Sequence, residues 1–205
     1  MIDLYLAGTA NGFRASVALE EAGLPYRVHK VDLAKGEHRD KEFLKLNPAG
    51  LIPVIVDQDG PGGKPLTLSQ SGAIILYIAE KTGKFLPKDA AGRAIAMQWF
   101  MQGATDVAAT SGAIFRLENS VPEKTPSSID YFKQRLLGFF SVCDARLAGR
   151  EYFADELSVA DMMLYPNFAL RKALVDQAGG FANLQRWGAT MASRPAVQKG
   201  MKVVG

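Results

Sequence analysis

Apolar and polar positions alternate over residues 2–6, so that Ile2, Leu4 and Leu6 share one face and Asp3 and Tyr5 the other. That is the two-residue period of a β-strand. The alternation stops at Gly8-Thr9-Ala10-Asn11-Gly12, and a helical pattern runs from 12 to 23, with Val17, Ala18, Leu19 and Ala22 apolar and Gly23 as its stop. Residues 26–33 read as a second strand, and 40–46 as a short helix ending before Asn47-Pro48. Two β-rich runs, 54–57 and 66–68, flank a Gly/Pro-rich connection in the manner of a hairpin. Residues 70–82 are apolar on nearly every side, the mark of a helix buried on a sheet. The predicted order is β-α-β-α-β-β-α.

Beyond Lys84 the pattern changes. A Pro/Gly-containing connector is followed by helical periodicity only, at about 91–118, 128–148, 158–171, 181–192 and 195–203. An α/β unit followed by a helical one predicts two domains, 1–83 and 91–205. In the second, Ser158 and Asp161 stand in the spacing of a capping box, with Leu157 and Met162 placed as its hydrophobic staple.

Composition narrows the function classes. Hydrophobic residues make up 48% and charged residues 22% of the 205, the usage of an ordinary globular protein. A net charge of +3 with no run of five or six like charges argues against a nucleic-acid partner. No apolar run approaches the roughly 20 residues that cross a bilayer, and no basic flank with an apolar core opens the chain. The single cysteine, Cys143, cannot form an internal disulfide and fits a reducing compartment, so the cytoplasm is expected. Two scattered histidines and one cysteine predict no metal site. Lys64 lacks the glycine and the following hydroxyl of a phosphate loop.

The candidate chemistry lies at the first strand-to-helix turn. The element order is that of a thioredoxin-like domain, in which a dithiol protein needs Cys-x-x-Cys at this place. Thr9-Ala10-Asn11-Gly12 stands there instead, so any sulfur chemistry must use a borrowed thiol. Pro53 follows Ile52 at the entry to a strand, where it is either a turn proline or a cis proline that leaves nearby backbone groups free for a ligand. Ser71, after Gln70, is either the N-cap of a buried helix or part of a carboxylate site at its N-terminus.

Taken together, Asn47-Pro48-x-Gly50-x-Ile52-Pro53-Val54, the pair Gln70-Ser71 and the Ser158-x-x-Asp161 box resemble the glutathione transferase family over essentially the whole chain. The resemblance implies the glutathione transferase fold, a thioredoxin-like α/β N-terminal domain plus an all-α helical C-terminal domain, and a homodimer. It implies glutathione as cosubstrate, held by the main chain of Ile52 before the cis-proline and by Gln70 and Ser71 at the γ-glutamyl end. Gln70 departs from the acid commoner there, and loses the charge term with the ligand ammonium. The opening resembles bacterial Nu-class members and their yeast nitrogen-regulator relatives, whose turn reads close to Thr-Pro-Asn-Gly. In that class the turn hydroxyl and Asn stand beside the sulfur, which gives Thr9 as donor to the thiolate and Asn11 as the residue that positions or polarises it.

Such an assignment is physically reasonable. A free thiol titrates near ~8.5, and a helix N-terminus with one or two donors lowers that by about one to several units. Other residues carry weaker signals. Tyr5 lies in the strand and reads as packing, although strand tyrosines serve other classes of the family. His38 and Arg39 meet the glycyl carboxylate or form a solvated loop. His29 reads as structural and Cys143 as a small buried hydrophobe. Trp99, Phe100, Phe115, Phe139 and Phe140 fall at helical spacings and read most simply as core. The expected activity is glutathione-dependent disulfide reduction, favoured over conjugation of aromatic halides, with the helical domain presenting the second substrate. A glutathione-binding sensor or scaffold with little catalysis is the alternative.

Overall fold

The computed structural model describes residues 1–204, which cluster into two compact units. One holds Met1–Lys84 and the segment from Ser193 onward; the other is Phe85–Ala192.

The first unit is built on a four-stranded sheet of β1 (Ile2–Leu6), β2 (Tyr26–Lys30), β3 (Val54–Asp57) and β4 (Leu66–Ser69), in the order β2-β1-β3-β4. β1 runs parallel to β2 and antiparallel to β3, which is antiparallel to β4. Ile2, Leu4 and Leu6 of β1 are buried, as their alternation predicts. β2 ends at Lys30, three residues short of the predicted run. Val31 still donates to the Leu6 carbonyl at 2.8 Å, and the chain then leaves the sheet.

α1 (Ala10–Ala22) and α3 (Ser71–Thr82) pack on each other, α2 (Lys41–Leu46) being the short helix between β2 and β3. α1 buries Val17, Ala18 and Leu19 completely, and a fully buried side chain of Val or Leu size contributes roughly 1.5–3 kcal/mol. Its first turn lies so close to the end of β1 that a Cβ on Gly12 would sit 2.2 Å from the Ala7 carbonyl oxygen. Glycine is therefore required at the last place of Thr9-Ala10-Asn11-Gly12. Gly23 ends the helix at φ 71°, in the left-handed region that a C-terminal stop exploits.

The second unit is helical: α4 (Ala90–Met101), α5 (Ala108–Asn119), α6 (Pro126–Arg146), α7 (Val159–Leu170), α8 (Lys172–Ala178) and α9 (Ala182–Ser193), whose last residue begins the segment assigned to the first unit. The predicted helix 91–118 is two helices joined by a π-helical stretch at Gln102–Val107. Gly103 there packs so closely on α7 that an added Cβ would lie 3.0 Å from side-chain atoms of Met163 and Leu164. α8 has no counterpart in the predicted elements, because only Val175 of its seven residues is buried and no apolar stripe develops. Trp99, Phe100 and Phe140 are core residues, whereas Phe115 is exposed, contrary to the core reading of its spacing.

α10 (Pro195–Gly200) packs on α1 in the first unit, while sequence periodicity alone groups it with the helices before it. Three contacts fasten it: Ser16 Oγ donates to the Gly200 carbonyl at 2.7 Å, Arg194 forms a two-pronged pair with Glu21 at 2.6 and 2.8 Å, and Lys199 pairs with Glu20 at 2.9 Å.

Candidate active site

Strand register brings the candidate residues to one end of the sheet. Tyr5 pairs with Val54 and Val54 with Ser69, so the turn after β1, the Ile52-Pro53 entry to β3 and Gln70-Ser71 after β4 adjoin one another. The Val31–Leu6 bond sends the loop that carries His38 off the same end.

Thr9 is the N-cap of α1. Its backbone is extended, and its Oγ1 accepts from the Gly12 N–H at 3.2 Å. An accepting hydroxyl keeps its own hydrogen, and that hydrogen meets no acceptor among the described residues. Asn11 is exposed, and its Oδ1 accepts from Nη1 of Arg14. Arg14 is 1% exposed, and the same nitrogen lies 3.4 Å from the Ser71 hydroxyl. Burial pulls the Arg14 guanidinium down to about 10, which leaves it charged at neutral pH.

The Ile52–Pro53 peptide is cis, the second of the two conformations expected of Pro53. β3 begins only at Val54, and Ile52 makes no main-chain hydrogen bond among the described residues. Asn47 shapes the approach to it: its side chain donates to the Leu51 carbonyl at 2.7 Å and accepts from the Ala49 N–H at 3.2 Å.

Gln70, not Ser71, is the N-cap of α3, so the N-cap alternative for Ser71 gives way. Gln70 is exposed, caps nothing with its side chain, and holds φ 71° with ψ 113°. A side chain other than glycine in that region is strained, and such strain gathers at ligand-contacting positions. Ser71 is buried as the first helical residue, its hydroxyl turned toward Arg14.

His38 sits half-buried in a one-turn helix, Glu37–Arg39, and its Nδ1 is buried without a hydrogen-bond partner among the described residues. Arg39 is exposed. Tyr5 stacks on His29 at 4.4 Å between ring centroids and meets Phe43 edge-on, which makes it a packing residue. His29 also holds Asp3 at 2.8 Å. Burial pushes the Cys143 thiol up to about 12, far from a reactive thiolate. No group of His, Cys, Asp or Glu among the described residues could hold a metal ion, and no helix is long and apolar enough to cross a membrane.

Arg14 is the residue that sequence reasoning passed over. It is the one basic residue of α1, and a single cation on a helix that buries nearly all round was the available signal. The assembled site offers a hydroxyl hydrogen and an amide at a helix N-terminus with a buried cation behind them, an arrangement suited to holding an anion.

Residues 10–81 match the model of the glutathione S-transferase N-terminal domain, and residues 104–195 that of the glutathione S-transferase C-terminal domain. The chain is 37% identical over 199 residues to the disulfide-bond oxidoreductase YfcG of Escherichia coli (strain K12), covering 96% of this chain and 92% of that protein. A glutathione transferase structure from Pseudomonas putida, with one glutathione disulfide bound per subunit, superposes with a TM-score of 0.89 at 34% identity, covering 100% of this chain and 92% of the other. Another, from Burkholderia graminis with two glutathione molecules bound per subunit, gives 0.90 at 36%, covering 98% and 88%.

Proposed function

The chain belongs to the glutathione transferase family, and from that premise we propose that it is a glutathione-dependent reductase of small disulfides that lowers the thiol pKa at Thr9 and Asn11. One observation carries the reading: the strand-to-helix turn has no cysteine, yet presents a hydroxyl hydrogen and the –NH2 of an amide, neither of which meets an acceptor among the described residues. Both donors suit a thiolate brought in by glutathione. Each pKa unit is worth about 1.4 kcal/mol, within what one hydrogen bond to a charged group supplies.

Glutathione lies along the adjoining ends of β1, β3 and β4. The main chain of Ile52, unbonded among the described residues, pairs with its cysteinyl unit. Gln70 meets the γ-glutamyl ammonium, Ser71 with the first N–H groups of α3 meets the carboxylate, and His38 serves the glycyl end. The activated thiolate attacks one sulfur of the substrate disulfide, forming a mixed disulfide and releasing the first substrate thiolate. A second glutathione thiolate then attacks the mixed disulfide, giving glutathione disulfide and the second substrate thiolate. The two protons lost by the glutathione thiols end on the two product thiols. The relatives' bound glutathione disulfide and paired glutathiones support this sequence, as the name of the Escherichia coli protein supports the reaction. The enzyme works as a homodimer, and the free thiol of Cys143 supports a cytoplasmic setting.

Side-by-side turnover of a small disulfide and of an aromatic halide on one preparation tests the proposal. Rapid disulfide reduction with weak conjugation is expected. The reverse order would make it a conjugating transferase, and binding without either turnover would make it a glutathione sensor or scaffold.

A further inference from the structure

Guanidinium has five N–H donors and no acceptor, so whatever atom faces it must accept. At Asn11 that atom is the amide oxygen, and at Ser71 it is the hydroxyl oxygen, 3.4 Å from the same Nη1. An amide whose oxygen is held inward has its –NH2 outward. A hydroxyl that accepts keeps its hydrogen for another partner. Arg14 itself is fixed by being 1% exposed on a helix whose neighbouring residues, Phe13 and Ala15, are buried.

We propose that Arg14 is the positioning residue of this site, holding the Asn11 amide with its –NH2 toward the thiol and the Ser71 hydroxyl hydrogen toward the γ-glutamyl carboxylate of glutathione. The proposal rests on the glutathione reading above and adds a role to a residue that touches no ligand. Without Arg14 the Asn11 amide is free to rotate, and one of its two faces puts a carbonyl oxygen beside the developing thiolate, where it repels. One buried cation therefore sets the polarity of two donors, one at the cysteinyl thiol and one at the γ-glutamyl carboxylate.

The test is the pH at which glutathione bound to the protein forms its thiolate, read by ultraviolet absorbance, for the full chain and for Arg14→Met, Asn11→Ala and the double variant. Arg14→Met is expected to move that pH up by about one unit, with kcat/KM falling about tenfold below it and recovering above it. A purely structural role would lower activity at every pH without moving the titration. Arg14→Lys, which keeps one charged donor, restores most of the thiolate shift. In the Asn11→Ala background the Arg14→Met shift is expected to vanish, because Arg14 acts through that amide. An equal shift in both backgrounds, or none in a folded Arg14→Met protein, overturns the proposal. If Arg14→Met does not fold, Asn11→Ala still decides the orientation, since Asn11 is exposed. An outward –NH2 means its loss raises the thiolate pH, and an unchanged or lowered pH overturns the proposal. Failure of the underlying reading looks different: glutathione on the unmodified protein would fail to bind, or would titrate as it does free in solution.

Discussion

Two helices of this protein start with the same device and use it to opposite ends. At α7 Ser158 caps the helix and Asp161 completes the box, and the polar atoms of these two side chains are spent internally. Asp161, fully buried, accepts from the Ser158 N–H and hydroxyl at 2.9 Å each, from the Trp187 indole at 2.9 Å and from the Phe153 N–H at 3.2 Å. At α1 Thr9 caps in the same way, but its hydroxyl hydrogen is not taken up among the described residues and Asn11 reaches solvent. A saturated cap is a structural joint, whereas an unsaturated one beside solvent is a place for a ligand. The carboxyl of Asp161 supplies negative charge to its own helix; α1 has no acid in its first turn and leaves that charge to be brought in.

Breaking the saturated joint should have the largest effect. Asp161→Ala leaves the Phe153 and Ser158 N–H groups and the Trp187 indole buried without an acceptor, and should destabilise by about 3–5 kcal/mol in denaturant unfolding. A loss below about 1 kcal/mol would mean that the network is relaxed by water. Its pH dependence has a definite sign. Burial pushes the Asp161 carboxyl up to about 6, against its hydrogen bonds, from 3.8 in the unfolded chain. The folded protein thus holds a proton that the unfolded chain has lost between those values. The contribution is full below about pH 4 and fades as pH rises through about 6. The stability difference between wild type and Asp161→Asn should therefore shrink over that interval.

The unsaturated cap should show the complementary pattern, in which function falls and stability barely moves. Thr9→Ala with Asn11→Ala should lower glutathione-dependent disulfide turnover at neutral pH by about 10²-fold, the scale of removing donors from a developing anion. Thr9→Ala by itself should cost the fold only about 1 kcal/mol, from the cap bond to Gly12, whereas Asn11→Ala also removes an acceptor from the buried Arg14 guanidinium. Unchanged turnover would end the assignment of these two residues. A large loss of stability would instead make this cap a second structural joint.

The contrast also shows what was legible in the sequence. Residue order was enough for β1, whose buried residues alternate, for α1 and α3, which are apolar over much of their length, for the hairpin through its Gly/Pro connection, and for the capping box, which is local. The turn at Thr9 was legible through what it lacks, a cysteine. Arg14 was not, because its meaning lies in Ser71, 57 residues away, and no local pattern states which distant hydroxyl a cation will meet. α10 escaped for a related reason. Its helical period is visible, but its partners are Ser16, Glu20 and Glu21 of α1, at the far end of the chain. The π-helical stretch depends on how closely Gly103 approaches α7, again a tertiary matter.

The smallest effect expected is at Gln70, which shares features of both caps: it starts a helix, caps nothing with its side chain and carries backbone strain at φ 71°. If the strain is retained to present the amide to the γ-glutamyl ammonium, stability and binding must move in opposite directions. Gln70→Gly should stabilise the fold by about 1 kcal/mol, since glycine adopts this backbone without penalty, while the KM for glutathione rises several-fold. Gln70→Glu keeps the strain and adds a charge opposite the ammonium, so that KM should fall by about the same factor with stability unchanged. Glutathione titrations of the two variants together decide the matter. If both bind as the unmodified protein does, the side chain of Gln70 does not reach the ligand and the strained residue serves only to turn the chain from β4 into α3.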